Sequence, residues 1–347
     1  MQKTSISYIK HYALSLVIAG GFSFSSLPVL SSEGRLTVYC SVQNSTCEKV
    51  TKAFSEKYNI DTKYVRQSTG TILGKIKAEK SNPQADVWYG GTIEPHIQAA
   101  GENLLEKYRS PKQNEIQPQF EKLTNQWGDY TSIIYSMALA IGVNTTKLEQ
   151  LKIDAPQCLA DLIKPEYKNL IQYPDPRVSG TGYNFISTLI QLWGEEQAFE
   201  YLKKLHQNVF QYTKSGLATS HLATGEVAVD VSFIHSYARE KEKGAPVKTI
   251  LACEGNGYTL GSVSIIKGAR NLDAAKLFVN YALSAEAQEI HWQEADSYQF
   301  PTNINARSAP QVAEFHNIKY IDFDFNRFGS NTESQRLIKK WSDTIKN

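Results

Sequence analysis

From Arg35 onward, short runs rich in β-branched and aromatic residues alternate with stretches whose apolar positions recur every three or four residues. This is the pattern of βα units that build a parallel sheet. LTVYC leads into a helix with Val50, Phe54 and Tyr58 on one face, TKYVRQ leads through STGT into TILGKIKAEK, and ADVWY leads through GGT into IEPHIQAAGE. The apolar run IIYSMALAIGV then has the length of a strand that crosses into a second series. There NLIQYPDP precedes VSGTGYNFISTLIQLW, VFQYT precedes KSGLATSHLATG, and VAVDVSFI precedes HSYAREKEKG. A third apolar run, TLGSVSIIKGA, carries the chain back ahead of one long helix, AAKLFVNYALSAEAQEIHW, and the last helix places Leu337, Trp341 and Ile345 on one face. The pattern predicts an α/β protein of two lobes, residues 32–132 with 265–310 and residues 140–262 with 311–347. Two hinge strands, 133–141 and 258–266, join them across a cleft.

Residues 1–31 do not fit this alternation. MQKTSISYIK is basic, ALSLVIAGGFSFSSLPVL is apolar, and Val29, Leu30 and Ser31 offer the small or medium side chains of a cleavage site, so the segment reads as a secretory signal peptide. Gly20, Gly21 and Pro28 interrupt the apolar run too early for a membrane span of about 20 residues. With 347 residues and 41% hydrophobic composition the chain exceeds one ordinary core. Beyond Lys3 and Lys10 it carries as many acids as bases, so a nucleic-acid surface built on net charge is excluded.

Export gives meaning to the four cysteines, because an oxidising compartment turns an even count into disulfides. Three pairings are open. Cys40 and Cys47 bracket a short loop between the first strand and helix, so their bridge is expected, with Cys158 and Cys253 left to pair. No HxH or HxxxH spacing among the seven histidines suggests a zinc site, and no metal or cofactor is expected.

Ligands of open α/β sheets bind beyond the carboxyl ends of the strands, where helix N-termini present unpaired N–H groups. There the chain places Ser41 after the first strand, Ser68, Thr69, Gly70 and Thr71 after the second, and Gly90, Gly91 and Thr92 after the third. Ser179, Gly180 and Thr181 open the long helix of the second series, and Ser215 and Gly216 follow QYTK. One such case is an ordinary cap or turn. Five facing one cleft point to an anion rich in acceptor oxygens, of which phosphate fits well. Lys214 and Arg177 stand beside two of these loops, where a solvated charge is the plain alternative. His235 and Ser236, where VAVDVSFI ends, and Glu254 in ACEGNGYTLG are suited to the hydroxyl groups of a non-phosphate portion.

Together YCSVQNSTCE, STGTILGKI, NPQADVWYGGT, CLADLIKPEYKN, VSGTGY, QYTKSG, the strand ending FIHS, ACEGNGYTLG and GARNLDAAKLFVNYALSAEAQE resemble the periplasmic solute-binding proteins of ATP-driven importers, over essentially the whole mature chain. That family includes ferric-ion, phosphoglycerate and phosphonate binders, and the hexose 6-phosphate binders look most similar. The resemblance implies a two-lobed type II binding-protein fold that closes on its ligand and hands it to an ABC permease and ATPase. It implies a monomeric periplasmic carrier without catalysis. Where ferric members have a tyrosine pair this chain has Ile234 and His235, which disfavours a hard ferric ion. Hexose-phosphate members have His then Asp there and a Glu in the CEG stretch; here stand His235, Ser236 and Glu254. The expected cargo is therefore a sugar phosphate, such as a hexose 6-phosphate, with a ferric-ion carrier as the alternative. A secreted phosphatase-like hydrolase is the rival of a different class, but the chain has no GxSxG elbow and no spaced Asp and His set.

Overall fold

The apolar runs become strands and the periodic stretches helices, with one exception below, in a computed structural model that describes residues 34–315 and 318–345. The signal peptide expected over residues 1–31 lies outside the described residues. Among the described residues no helix is long and apolar enough to cross a membrane. In chain order the first series is β1 (Gly34–Cys40), α1 (Asn44–Tyr58), β2 (Ile60–Arg66), α2 (Thr69–Ala78), β3 (Val87–Tyr89), α3 (Ile93–Gly101) and α4 (Glu121–Trp127). The crossing strand is β4 (Ser132–Asn144), followed by α5 (Thr145–Leu151), β5 (Ile171–Pro174), α6 (Gly180–Trp193), α7 (Glu195–His206), β6 (Val209–Thr213) and α8 (Ser215–Thr224). Then come β7 (Val229–Phe233), α9 (Ile234–Glu242), β8 (Val247–Ile250), β9 (Tyr258–Ile265), α10 (Leu272–Ala282) and α11 (Ala285–Gln293). β10 (Phe300–Pro301), α12 (Phe325–Phe328) and α13 (Asn331–Ile345) complete the chain.

Strand order explains how one chain builds two halves. The path runs β2-β1-β3-β9-β4-β7-β5-β6. β1, β2 and β3 are parallel to one another, as are β5, β6 and β7. β4 belongs to both halves: Ser132–Ala138 pair with β9, Leu139–Val143 with β7, and Ile141–Asn144 with β8. A register shift between Ile133 and Tyr135 marks a bulge where β4 lies against β9. The long helix expected from AAKLFVNYALSAEAQEIHW is two helices, because the Ser284 hydroxyl accepts from Ala287 N at 3.3 Å and starts a new one. Leu337, Trp341 and Ile345 are buried along α13, and Trp341 Nε1 donates to Tyr173 Oη at 3.0 Å.

Both expected disulfides are present, Cys40 to Cys47 and Cys158 to Cys253. The first joins the end of β1 to α1, and the second fastens residue 158 to residue 253 ahead of β9.

One core group should make stability depend on pH. Asp230 in β7 is fully buried, and burial pushes its carboxyl up to about 7 despite hydrogen bonds from Tyr237 and Gln172. That value lies above the unfolded one of about 3.9, so the native state keeps a proton that the unfolded chain releases, and stability falls as pH rises through the interval between them. The thermal midpoint of Asp230→Asn relative to the parent is therefore expected to climb from about pH 4.5 to about pH 8. A constant difference across that range would contradict a protonated Asp230.

Candidate functional site

Four strands end at one place. Beyond β1 come Ser41, Val42, Gln43 and Asn44, beyond β2 Ser68 and Thr69, beyond β3 Gly91 and Thr92, and beyond β7 His235, Ser236 and Arg239. With Arg66 at the last position of β2, Tyr135 and Met137 of β4, Thr181 of α6, Thr219 of α8, Ser232 and Phe233 of β7, and Gln299, they line a cavity of about 310 Å³. Helices α1, α2, α3 and α9 begin here without a side-chain cap, so their first N–H groups keep donor capacity toward it.

Several lining groups are oriented from behind. Trp88 Nε1 donates to Ser41 Oγ at 3.0 Å, which leaves the Ser41 hydroxyl proton to point elsewhere. Trp88 in turn stacks on His96 at 3.7 Å. The His96 ring bonds Gly90 O at 3.1 Å through Nε2 and Ser264 Oγ at 2.8 Å through Nδ1. Burial pushes its pKa down to about 3, so Nε2–H donates to the carbonyl and Nδ1 accepts. Gly91 lets the backbone come close: its φ is +91°, and a Cβ there would stand 2.4 Å from Thr69 Oγ1 and 2.9 Å from Ser41 Cβ. Gly91 N donates to Tyr135 Oη at 2.8 Å.

The charge in the cavity is one-sided. Arg66 and Arg239 line it, and among the described residues no aspartate or glutamate does. Arg66 Nε donates to Val42 O at 2.9 Å, while Arg239 pairs with Glu240 at 2.8 Å. His235 is neutral, because burial first, then Arg239 and His291, push it down to about 3.

Of the residues the sequence singled out, Ser41, Thr69, Thr181, His235 and Ser236 meet in this cavity. Ser68, Gly91 and Thr92 from the same loops line it too, whereas Gly70, Thr71, Ser179, Gly180 and Glu254 are not part of its lining. Thr71 is exposed, with its hydroxyl 2.8 Å from Ser68 Oγ. A Cβ on Gly70 would sit 3.2 Å from the Val178 carbonyl, and one on Gly180 would sit 2.3 Å from Thr92 Oγ1, so both glycines serve close packing between α2, α3 and α6. Ser179 caps α6 by accepting from Gly182 N at 3.3 Å. Ser215 is the first residue of α8, the helix that contributes Thr219. Glu254 is held elsewhere: its carboxylate accepts from Leu159 N and Ala160 N, both at 2.9 Å, beside the Cys158–Cys253 bridge. Arg177 is paired with Asp175.

Sequence reasoning missed Arg66 and Arg239, although each carried a signal. Arg66 closes TKYVRQ just before the STGT loop, and Arg239 lies one helical turn beyond His235. Among the described residues, Cys158, Cys253 and Glu254 are near enough to share a metal ion, but the two sulfurs are bonded to each other. Among the described residues Tyr135 is the single tyrosine lining the cavity, and Tyr237 points into the core, where its hydroxyl donates to Asp230 Oδ2 at 2.9 Å. A phenolate pair for a ferric ion is therefore not assembled.

The sequence profile of the bacterial extracellular solute-binding proteins matches residues 82–327. An uncharacterised protein of Haemophilus influenzae is 45% identical over 343 residues, covering 97% of this chain and 99% of its own. The solved periplasmic binding protein P5PA is 56% identical with a TM-score of 0.88, over 90% of this chain and 100% of that one. AfuA of Actinobacillus pleuropneumoniae, a periplasmic binding protein solved with fructose 6-phosphate bound, is 48% identical with a TM-score of 0.88, over 91% of this chain and 99% of that one.

Proposed function

We propose, starting from the fact that the chain belongs to the family of bacterial extracellular solute-binding proteins, that it carries a phosphorylated small molecule, a sugar phosphate such as a hexose 6-phosphate, through the periplasm to an ABC permease and its ATPase. The observation that carries this reading is the cavity itself, with two guanidiniums, a ring of serine and threonine hydroxyls and helix N-termini, and no lining carboxylate among the described residues. Such a set of donors favours a multiply charged oxyanion, and hydrogen bonds to charged oxygens are worth about 1.5–3 kcal/mol each. A volume near 310 Å³ is at the small end for ligand sites, in keeping with a sugar-sized cargo. The fructose 6-phosphate bound to AfuA supports the same class of ligand here. Ser41, Thr69, Thr181, Arg66 and Arg239 hold the phosphate end, and His235, Ser236 and Gln299 face the remainder. β4 and β9 serve as the hinge between the two halves. The ferric alternative lacks its phenolates, and the hydrolase alternative lacks a carboxylate in the cavity to orient His235 or bind a metal.

A thermal-shift panel tests the reading. A hexose 6-phosphate at a hundred times its dissociation constant should stabilise the protein by about 2.7 kcal/mol. If hexose phosphates, phosphoglycerate, phosphonates and inorganic phosphate all leave the midpoint unmoved while ferric citrate raises it, the reading is wrong.

A further inference from the structure

Arg66 and Arg239 reach one cavity from opposite halves of the fold, Arg66 from the end of β2 and Arg239 from α9. Burial first, and the neighbouring Arg239 second, hold the Arg66 guanidinium below its usual range. The amide oxygens that line the cavity are already engaged. Gln43 Oε1 and Gln299 Oε1 lie 2.8 and 2.6 Å from the Ser297 hydroxyl, and Asn44 Oδ1 accepts from Tyr64 Oη at 3.3 Å. The site is thus rich in positive charge and donors, and beyond the neutral His235 ring, whose Nδ1 has no partner, it is poor in strong acceptors, which matters because the two ionisation states of a phosphate ester differ in both respects. The monoanion carries a P–OH proton that seeks an acceptor, whereas the dianion carries only acceptors and one more negative charge.

We propose that the cavity selects phosphomonoesters as their dianions and discriminates against monoanionic esters of the same shape, a sulfate monoester above all. This deepens the proposed function and rests on it. Selection follows from Arg66 and Arg239 acting on one oxyanion in a cavity that, among the described residues, no carboxylate lines to take a proton. The titratable groups that line the cavity around the ligand are Arg66 from β2, Tyr135 from β4, and His235 and Arg239 from α9. Glu240 lies behind Arg239, and His291 lies beside Tyr135. Burial raises Tyr135 and lowers His235 and His291, so none of the three changes charge between about pH 5 and about pH 8. The pH dependence of binding therefore comes from the ligand, whose second ionisation lies near about 6.

The test compares a hexose 6-phosphate with the matching hexose 6-sulfate by calorimetry on the purified protein, reading the ratio of the two affinities so that effects of pH on the protein cancel. The phosphate ester should bind roughly 100-fold more tightly at about pH 7.5, and the ratio should shrink roughly tenfold at about pH 5. The variant R66Q should bring the ratio at about pH 7.5 down to roughly ten. A ratio that changes less than about threefold with pH, or two esters that bind equally, overturns the selectivity and leaves the proposed cargo standing. If neither ester binds at either pH, the cargo reading itself falls and the selectivity with it.

Discussion

Gly91→Ala is expected to destabilise the protein by about 2–4 kcal/mol and to weaken phosphorylated ligands at least roughly tenfold. The backbone at Gly91 has a φ of +91°, which L side chains rarely adopt, so the substitution is strained before any contact is considered. The added Cβ then meets Thr69 Oγ1 at 2.4 Å and Ser41 Cβ at 2.9 Å. Both partners line the cavity, so relief of the clash displaces groups proposed to hold the ligand. Gly74→Ala provides the contrast. Gly74 lies within α2, and a methyl group added there would meet nothing within 4 Å, so alanine should stabilise by about 0.5–1 kcal/mol through helix propensity and leave binding unchanged. Urea unfolding and calorimetry on the two variants check the opposite signs, and equal behaviour would remove the assigned role of Gly91.

The two disulfides should separate stability from binding. Cys158 and Cys253 are 95 residues apart, and their bridge closes a long loop, so the double alanine variant should lose about 4–5 kcal/mol in the chain-entropy account. Its ligand affinity should stay within about twofold, because neither cysteine lines the cavity. Cys40 and Cys47 are 7 residues apart, and removing their bridge should cost less, about 2–3 kcal/mol. That bridge encloses Ser41, Val42, Gln43 and Asn44, all of which line the cavity, so its loss should reduce affinity clearly. Denaturant titrations give the first pair of numbers and calorimetry the second. The assignment fails if the Cys40–Cys47 variant binds as tightly as the parent.

The alternation of strands and helices was legible because burial imposes different periods on the two. Val50 and Phe54 are fully buried on α1, and Leu337, Trp341 and Ile345 are buried on α13, as their spacing predicts. The break between α10 and α11 was hidden because the apolar pattern of AAKLFVNYALSAEAQEIHW continues through it, and only the Ser284 cap marks the boundary. β8 and β10 escaped for another reason: both are short, and each exists by pairing with β4. In the site, hydroxyls after strand ends were readable because that is where α/β sheets present helix N-termini. The N–H groups that Glu254 caps, Leu159 and Ala160, are 95 and 94 residues distant in the chain, and no local pattern announces that placement. Arg66 and Arg239 were overlooked because an isolated cation in a sequence is usually solvated, and only their convergence distinguishes these two.

The double membership of β4 constrains how the halves can move. Its first part is laddered to β9 on one edge and β10 on the other, and its second part to β7 and β8. A strand gripped on both edges at both ends cannot slide past its neighbours without breaking ladder bonds, so translation is blocked and torsion about the strand remains. The bulge at Ile133 and Tyr135 already departs from regular pairing, which makes it the compliant point of that torsion bar. Tyr135 sits at this point and also accepts from the Gly91 backbone N–H, so any twist of β4 would be felt at the cavity wall through the same residue.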